Sequence, residues 1–100
     1  MPIPYRLTPR AERDIEAIAD YLVPRNPRAA KALVAEFRQQ WKALGAFPYS
    51  GMVRSEIDEG VRHKVLGQYV TLYRVTDQAI VILRVLHGSR DFSRRDIPPK

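Results

Sequence analysis

Between residues 85 and 96 the chain reads VLHGSRDFSRRD, which sets one histidine, three arginines and two aspartates within twelve positions at the end of an apolar run. Imidazole titrates near neutrality, so His87 is a candidate general acid or base. A lone histidine at the end of a strand is more often structural, and that reading stands beside the catalytic one. Arginine captures carboxylate or phosphate through two parallel hydrogen bonds, so the arginines here suit an anionic partner. Arg90 and Asp91 suit a local ion pair, or contacts that pin the C-terminal tail to a sheet.

The charge distribution sharpens this. Residues 61–100 hold eight Lys and Arg against three acids, a surplus of five, whereas residues 1–60 hold nine against eight. Thirteen of the seventeen cations are arginine. Nucleic acid, an acidic protein or a solvated cationic surface all account for such a balance. With no cysteine and only two histidines, disulfides and thiolate metal sites are excluded, and no metal or other cofactor is expected. The Gly-rich phosphate loop, HExxH and GxSxG are missing, which removes self-sufficient enzymes of those classes. The opening MPIPYRLTPR lacks the apolar core of a signal peptide, and no stretch approaches the ~20 apolar residues of a membrane span. A cytoplasmic protein without membrane contact is therefore expected, and its 100 residues make a single domain over residues 1–100.

The elements that must position these side chains follow from periodicity. YRL reads as a short strand. Thr8 as N-cap, Pro9 at the first helical position and Glu12 in the first turn then start a helix whose stripe is Ala11, Ile15, Ile18, Ala19 and Leu22, and Pro24 ends it. Asn26 and Pro27 repeat the start signal for a second helix, with Ala30, Leu33, Val34, Phe37, Trp41 and Leu44 on one face and Gly45 as a natural C-cap. The short connection makes the pair an antiparallel hairpin. Residues 48–60 read as a loop. Residues 61–66, 69–75 and 79–87 read as three strands joined by short turns, and the last is apolar enough to be covered on both faces.

The expected fold is α+β: an N-terminal strand and a two-helix antiparallel hairpin packed on a small, mainly antiparallel sheet that ends in a three-strand meander. Strict alternation along the last strand puts Val81, Leu83, Val85 and His87 on one face, with Ile80, Ile82, Arg84 and Leu86 on the other. Phe37 and Trp41 are core. Tyr69, Thr71 and Tyr73 share a face, as packing residues whose hydroxyls reach a partner. Arg62, Arg74 and Arg84 fall on three different strands; they converge into a cationic patch if the register aligns them, and otherwise are solvated residues shielding sheet edges.

The order of YRLTPRAERDIEAIADYL, FPYSGMVRSEIDEGVRH, YVTLYRV and VILRVLHGSRDF resembles the toxins of bacterial type II toxin–antitoxin modules, the RelE/ParE superfamily, across nearly the whole chain. The ending RVLHGSRD is most similar to the ParE branch. The resemblance implies one of two activities: poisoning of DNA gyrase, as in the ParE branch, or ribosome-dependent cleavage of messenger RNA, as in the RelE branch. A third reading is an inactive member that only binds its antitoxin. In one ribonuclease subgroup the pattern implies a glutamate five after a loop glycine, an arginine three before a strand tyrosine, and a histidine followed by tyrosine. Glu56 after Gly51 and His87 match, but the arginine position is Val70 and the tyrosine position is Gly88. Losing that arginine removes the group that stabilises developing charge. The ParE reading is therefore favoured, with Arg84, Arg90, Arg94 and Arg95 as target contacts. Arg62, Arg74 and Arg84 are then the contacts to a ParD-like antitoxin that folds on binding; His87 and Glu56 are the residual catalytic candidates.

Overall fold

In the computed structural model, which describes residues 2–99, the chain runs β1 (Tyr5–Leu7), α1 (Pro9–Leu22), α2 (Pro27–Ala46), β2 (Met52–Val53), β3 (Arg62–Leu66), β4 (Tyr69–Val75) and β5 (Ile80–His87), then a single 3-10 turn at Arg94–Asp96. The five strands form one sheet in the order β1-β5-β4-β3-β2, with β1 parallel to β5 and every other pair antiparallel. The expected α+β architecture is the observed one.

Local chemistry starts both helices as the sequence indicates. The Thr8 hydroxyl accepts from Ala11 N–H, and the Asn26 side chain accepts from Ala29 N–H, each with proline at the first helical position. These caps satisfy backbone donors that the helix itself leaves unpaired. Phe37, Trp41 and Leu44 of α2 and Ala11 of α1 then pack on Tyr73, Ile80, Ile82 and Val85 of the sheet. Each large apolar side chain buried there contributes about 1.5–3 kcal/mol. Trp41 lies against Phe37 and Tyr5, and its indole N–H donates to the Thr71 hydroxyl at 3.0 Å, so a buried polar group of the sheet is matched by one from the helix.

Three expectations need correction. Gly45 does not cap α2, which continues to Ala46; a Cβ at residue 45 would stand 2.1 Å from the Ile3 carbonyl oxygen, so the glycine serves the close passage of the N-terminal segment, whose Ile3 N–H donates to Gly45 C=O. The loop after α2 contains the two-residue strand β2, too short to produce a periodic signal. The last strand is covered on both faces, as expected: Ile57 and Val61 from the loop and Phe92 and Ile97 from the tail pack on most of the face away from the helices, against Val70, Leu72, Val81, Leu83 and Leu86.

The third correction is the alternation along β5. Leu72 pairs with Arg84, but the next β4 residue, Tyr73, pairs with Ile82, so β5 carries one extra residue in a bulge. The bulge exchanges the two faces. Val85 joins Ile80 and Ile82 against the helices, while Leu86 joins Val81 and Leu83 on the other side. β1 reaches only as far as Ile82, and the remaining edge of β5 is covered by α1, whose Thr8 hydroxyl donates to Leu83 C=O and whose Asp14 carboxylate accepts from Val85 N–H.

Candidate functional site

At the bulge, Arg84 points its guanidinium at two carboxylates from distant parts of the chain. Its Nε and Nη2 donate to Asp14 at 2.7 and 3.0 Å, and its Nη1 donates to the Asp96 backbone oxygen at 3.1 Å, with the Asp96 carboxylate 3.8 Å away. Arg84 is only 5 % exposed. Hydrogen bonding to Asp14 raises its already high pKa, so it is a permanent buried cation. The expectation that Arg84 contacts a target or an antitoxin therefore fails on access: its donors are turned inward and taken.

What Arg84 does is fix the tail. Asp96 also receives Arg90 Nη2 at 2.7 Å and Ser93 N–H at 2.9 Å, closing a capping box around the turn Ser93–Asp96. Phe92 and Ile97 anchor either side of that turn in the apolar cluster. Arg90 thus pairs with Asp96 rather than with its neighbour Asp91. Of the residues between the anchors, the two arginines face outward: the Arg94 side chain is 83 % exposed and 3.9 Å from Asp58, and exposed Arg95 has no carboxylate within ion-pair distance among the described residues. Asp14 and Asp96 were missed as partners from sequence. Only Asp96 left a signal there, as the last residue of the S-x-x-D pattern SRRD.

His87 and Glu56 are not brought together. His87 ends β5 on the helix-facing side, edge-on to Tyr69 at 5.8 Å between ring centroids, with Nδ1 2.6 Å from the Ser89 hydroxyl and Nε2 3.2 Å from Gln68 Oε1. Glu56 sits in the loop on the opposite side of the sheet, bound by Arg54, which holds its carboxylate below the usual range. Arg54 also donates to His63 Nδ1 at 3.1 Å; burial first, and then that guanidinium, hold the His63 pKa below its ordinary value. Val70, at the position where the ribonuclease pattern requires arginine, is buried in the apolar cluster.

Nor do the strand arginines form one patch. Arg62 is the β3 partner of Tyr73 and so faces the helix side, where it donates to the carbonyls of Tyr49 and Gly51 and lies over the Tyr49 ring. Arg74, one residue on from Tyr73, faces the other way and donates to the Asp58 carboxylate at 2.6 Å and to Glu59 C=O at 3.1 Å. A hydrogen bond from Glu59 N–H, reinforced by Arg74, keeps Asp58 ionised to lower pH than usual. Of the shared face Tyr69, Thr71 and Tyr73, the hydroxyls of Thr71 and Tyr73 do find partners. Tyr73 donates to Pro48 C=O at 2.8 Å and accepts from Gly51 N–H at 2.9 Å, and its burial pushes the phenol pKa up.

Phe47, Tyr49, Met52, Val53 and Val65 are exposed apolar residues; Val53 is the β2 partner of Arg62 and shares its face with Tyr49, whereas Met52 and Val65, partners of His63 and Val70, lie on the other face of the sheet. Among the described residues no group of three or more potential metal ligands occurs, and no helix is long and apolar enough to cross a membrane. Exposed arginines and exposed apolar side chains equip this surface for recognition.

Over residues 5–92 the chain matches the family described as the ParE toxin of the type II toxin–antitoxin system parDE. No curated protein matches it. Among solved structures it resembles the chromosomal ParDE toxin–antitoxin system from P. aeruginosa, with 28% identity, a TM-score of 0.72, and coverage of 85% of this chain and 95% of that one. It also resembles the RelBE2 toxin–antitoxin complex from Mycobacterium tuberculosis, with 31% identity, a TM-score of 0.56, and coverage of 87% and 99%. A family match spanning both helices and all five strands, on a sheet whose tail is tied down by a buried arginine, has one conclusion: the chain belongs to the ParE toxins of type II toxin–antitoxin systems.

Proposed function

We propose that this toxin arrests growth by binding DNA gyrase and trapping its cleaved DNA, and that a ParD-like antitoxin holds it silent. The observation that carries the reading is the tail: a buried network around Asp96 holds a turn rigid while Arg94 and Arg95 project from it. An enzyme holding cleaved DNA offers phosphates and carboxylates together, and guanidinium engages either. Because the turn is already ordered, those contacts cost little further entropy on binding. Arg90 is the inner member of the set and steadies the turn through Asp96.

The antitoxin in this proposal is an acidic, amphipathic segment that orders on the exposed apolar residues Phe47, Tyr49 and Val53, with its carboxylates toward Arg62 beside them. Separation of His87 from Glu56 favours a binding mechanism over acid–base cleavage of RNA. The test is expression of the toxin alone. Gyrase-linked DNA breaks, induction of the DNA-damage response and filamentation before protein synthesis falls are the expected results. Immediate arrest of translation, with ribosome-dependent messenger cleavage and unaffected supercoiling, would replace gyrase by the ribosome as the target. Absence of any growth effect would leave an antitoxin-binding protein.

A further inference from the structure

The sheet face opposite the helices holds a cleft of about 480 Å³ that the toxin reading does not use. Val81 and Leu83 of β5 line it, Arg6 of β1 and Arg74 of β4 flank it, and Pro98 and Pro99 of the tail also border it. The register explains this arrangement. Arg6 and Arg74 are both Cα partners of Val81, one on each side, so two arginines straddle one valine on the same face. Their Cα atoms are about 10 Å apart, two strand spacings, which lets both side chains reach one ligand atom group above the valine.

The polar inventory of the cleft reduces to those two guanidiniums. The Thr8 hydroxyl is occupied by Ala11 N–H and Leu83 C=O, and the Thr76 hydroxyl by Ala79. Arg74 uses Nε on Glu59 and Nη2 on Asp58, which leaves Nη1. Arg6 has no carboxylate within ion-pair distance among the described residues. Asp58, the carboxylate bonded to Arg74, also has Arg94 at 3.9 Å, so positive charge is in excess around it.

We propose that this cleft binds a small phosphate monoester carrying a flat ring, of which a nucleoside monophosphate is the simplest. The phosphate sits between Arg6 and Arg74, and the ring lies on Val81 and Leu83 against the prolines. One guanidinium satisfies a carboxylate through two parallel bonds, whereas two guanidiniums call for the third oxygen and second charge of a phosphate. An apolar floor with few polar groups at its rim, and a volume within the range of about 300–1,000 Å³ typical of ligand sites, suit a ligand of this size. This inference is independent of which cellular target the toxin has.

The test is a titration of the full-length chain with adenosine monophosphate, adenosine and inorganic phosphate, followed by amide resonances at low salt. Adenosine monophosphate is expected to saturate, shifting Arg6, Val81 and Leu83. Adenosine alone and phosphate alone should each bind at least about tenfold more weakly, since each forfeits one half of the contacts. Arg6→Gln should weaken adenosine monophosphate by about tenfold, the loss of a charge-assisted contact, with the melting temperature unchanged. The proposal is overturned by phosphate binding as tightly as the nucleotide, by unchanged affinity in Arg6→Gln, by shifts confined to Arg94 and Arg95, or by no saturable shift at millimolar ligand.

Discussion

Arg84 and Asp14, seventy residues apart, are joined by two hydrogen bonds of 2.7 and 3.0 Å, and the same carboxylate accepts the Val85 backbone N–H. That one contact ties α1 to the edge of β5 where β1 has ended. Through the other arm of the guanidinium it reaches the C-terminal turn. The two exposed arginines proposed to meet the target depend on it for position.

Breaking this pair should therefore be costly. Asp14→Ala leaves a buried guanidinium half paired and the Val85 amide without an acceptor, and is expected to destabilise by about 3–5 kcal/mol. Arg84→Ala should fall in the same range. Urea denaturation of both variants measures it, and a double substitution to Asp14→Leu with Arg84→Met should recover part of the loss, since an apolar pair leaves no orphan charge.

Toxicity should separate from stability at the tail. Arg94→Ala and Arg95→Ala remove exposed side chains and should change stability by no more than about 0.5 kcal/mol. Combined, they are expected to reduce growth inhibition while leaving the antitoxin complex intact on size exclusion. A double variant as toxic as the parent would remove the tail from the target interface.

His87→Gln and Glu56→Gln should each remain toxic. The two side chains lie on opposite sides of the sheet and have local partners, Ser89 and Gln68 for one and Arg54 for the other. Growth assays with circular dichroism as a control for folding give the answer. Loss of messenger cleavage in either variant, with cleavage present in the parent, would restore the ribonuclease reading.

Tyr73→Phe removes one hydroxyl that serves both Pro48 C=O and Gly51 N–H. It is expected to cost about 1–3 kcal/mol, because partly buried backbone groups are left unpaired. Amide exchange should quicken at Gly51 and along β2 before it does in β4, since the phenol is what draws that loop onto the sheet.

Stability should fall in mild acid by way of His63. Its folded pKa lies below the ordinary 6.5, so the unfolded chain binds more protons as pH drops through that value, and folding stability present above it is progressively lost. The loss ends once pH falls below the depressed folded value. His63→Gln should flatten the stability profile just below pH 6.5, measured by thermal melting across that range.

The elements of this protein are written locally, and so they can be read from the chain. Thr8 with Pro9 and Asn26 with Pro27 state where each helix begins because capping involves only a few neighbouring residues. The run 69–75 reads as a strand, and its face Tyr69, Thr71 and Tyr73 keeps its phase because β4 carries no extra residue. The family was legible for the same reason, through four short motifs in fixed order. The candidate site was legible only in part. Arg94 and Arg95 follow the last strand and stay outside, whereas Arg84 sits in an apolar strand as a surface-facing residue would. One inserted residue in β5 changed the phase of everything after it, and a bulge is set by pairing between strands, which no single segment encodes. Likewise, Arg62 and Arg74 part to opposite faces, and Arg6 meets Arg74 across Val81, only once three strands have taken their register. Side-chain type is a property of the chain; which charges meet, and which are left free for a partner, is a property of the sheet.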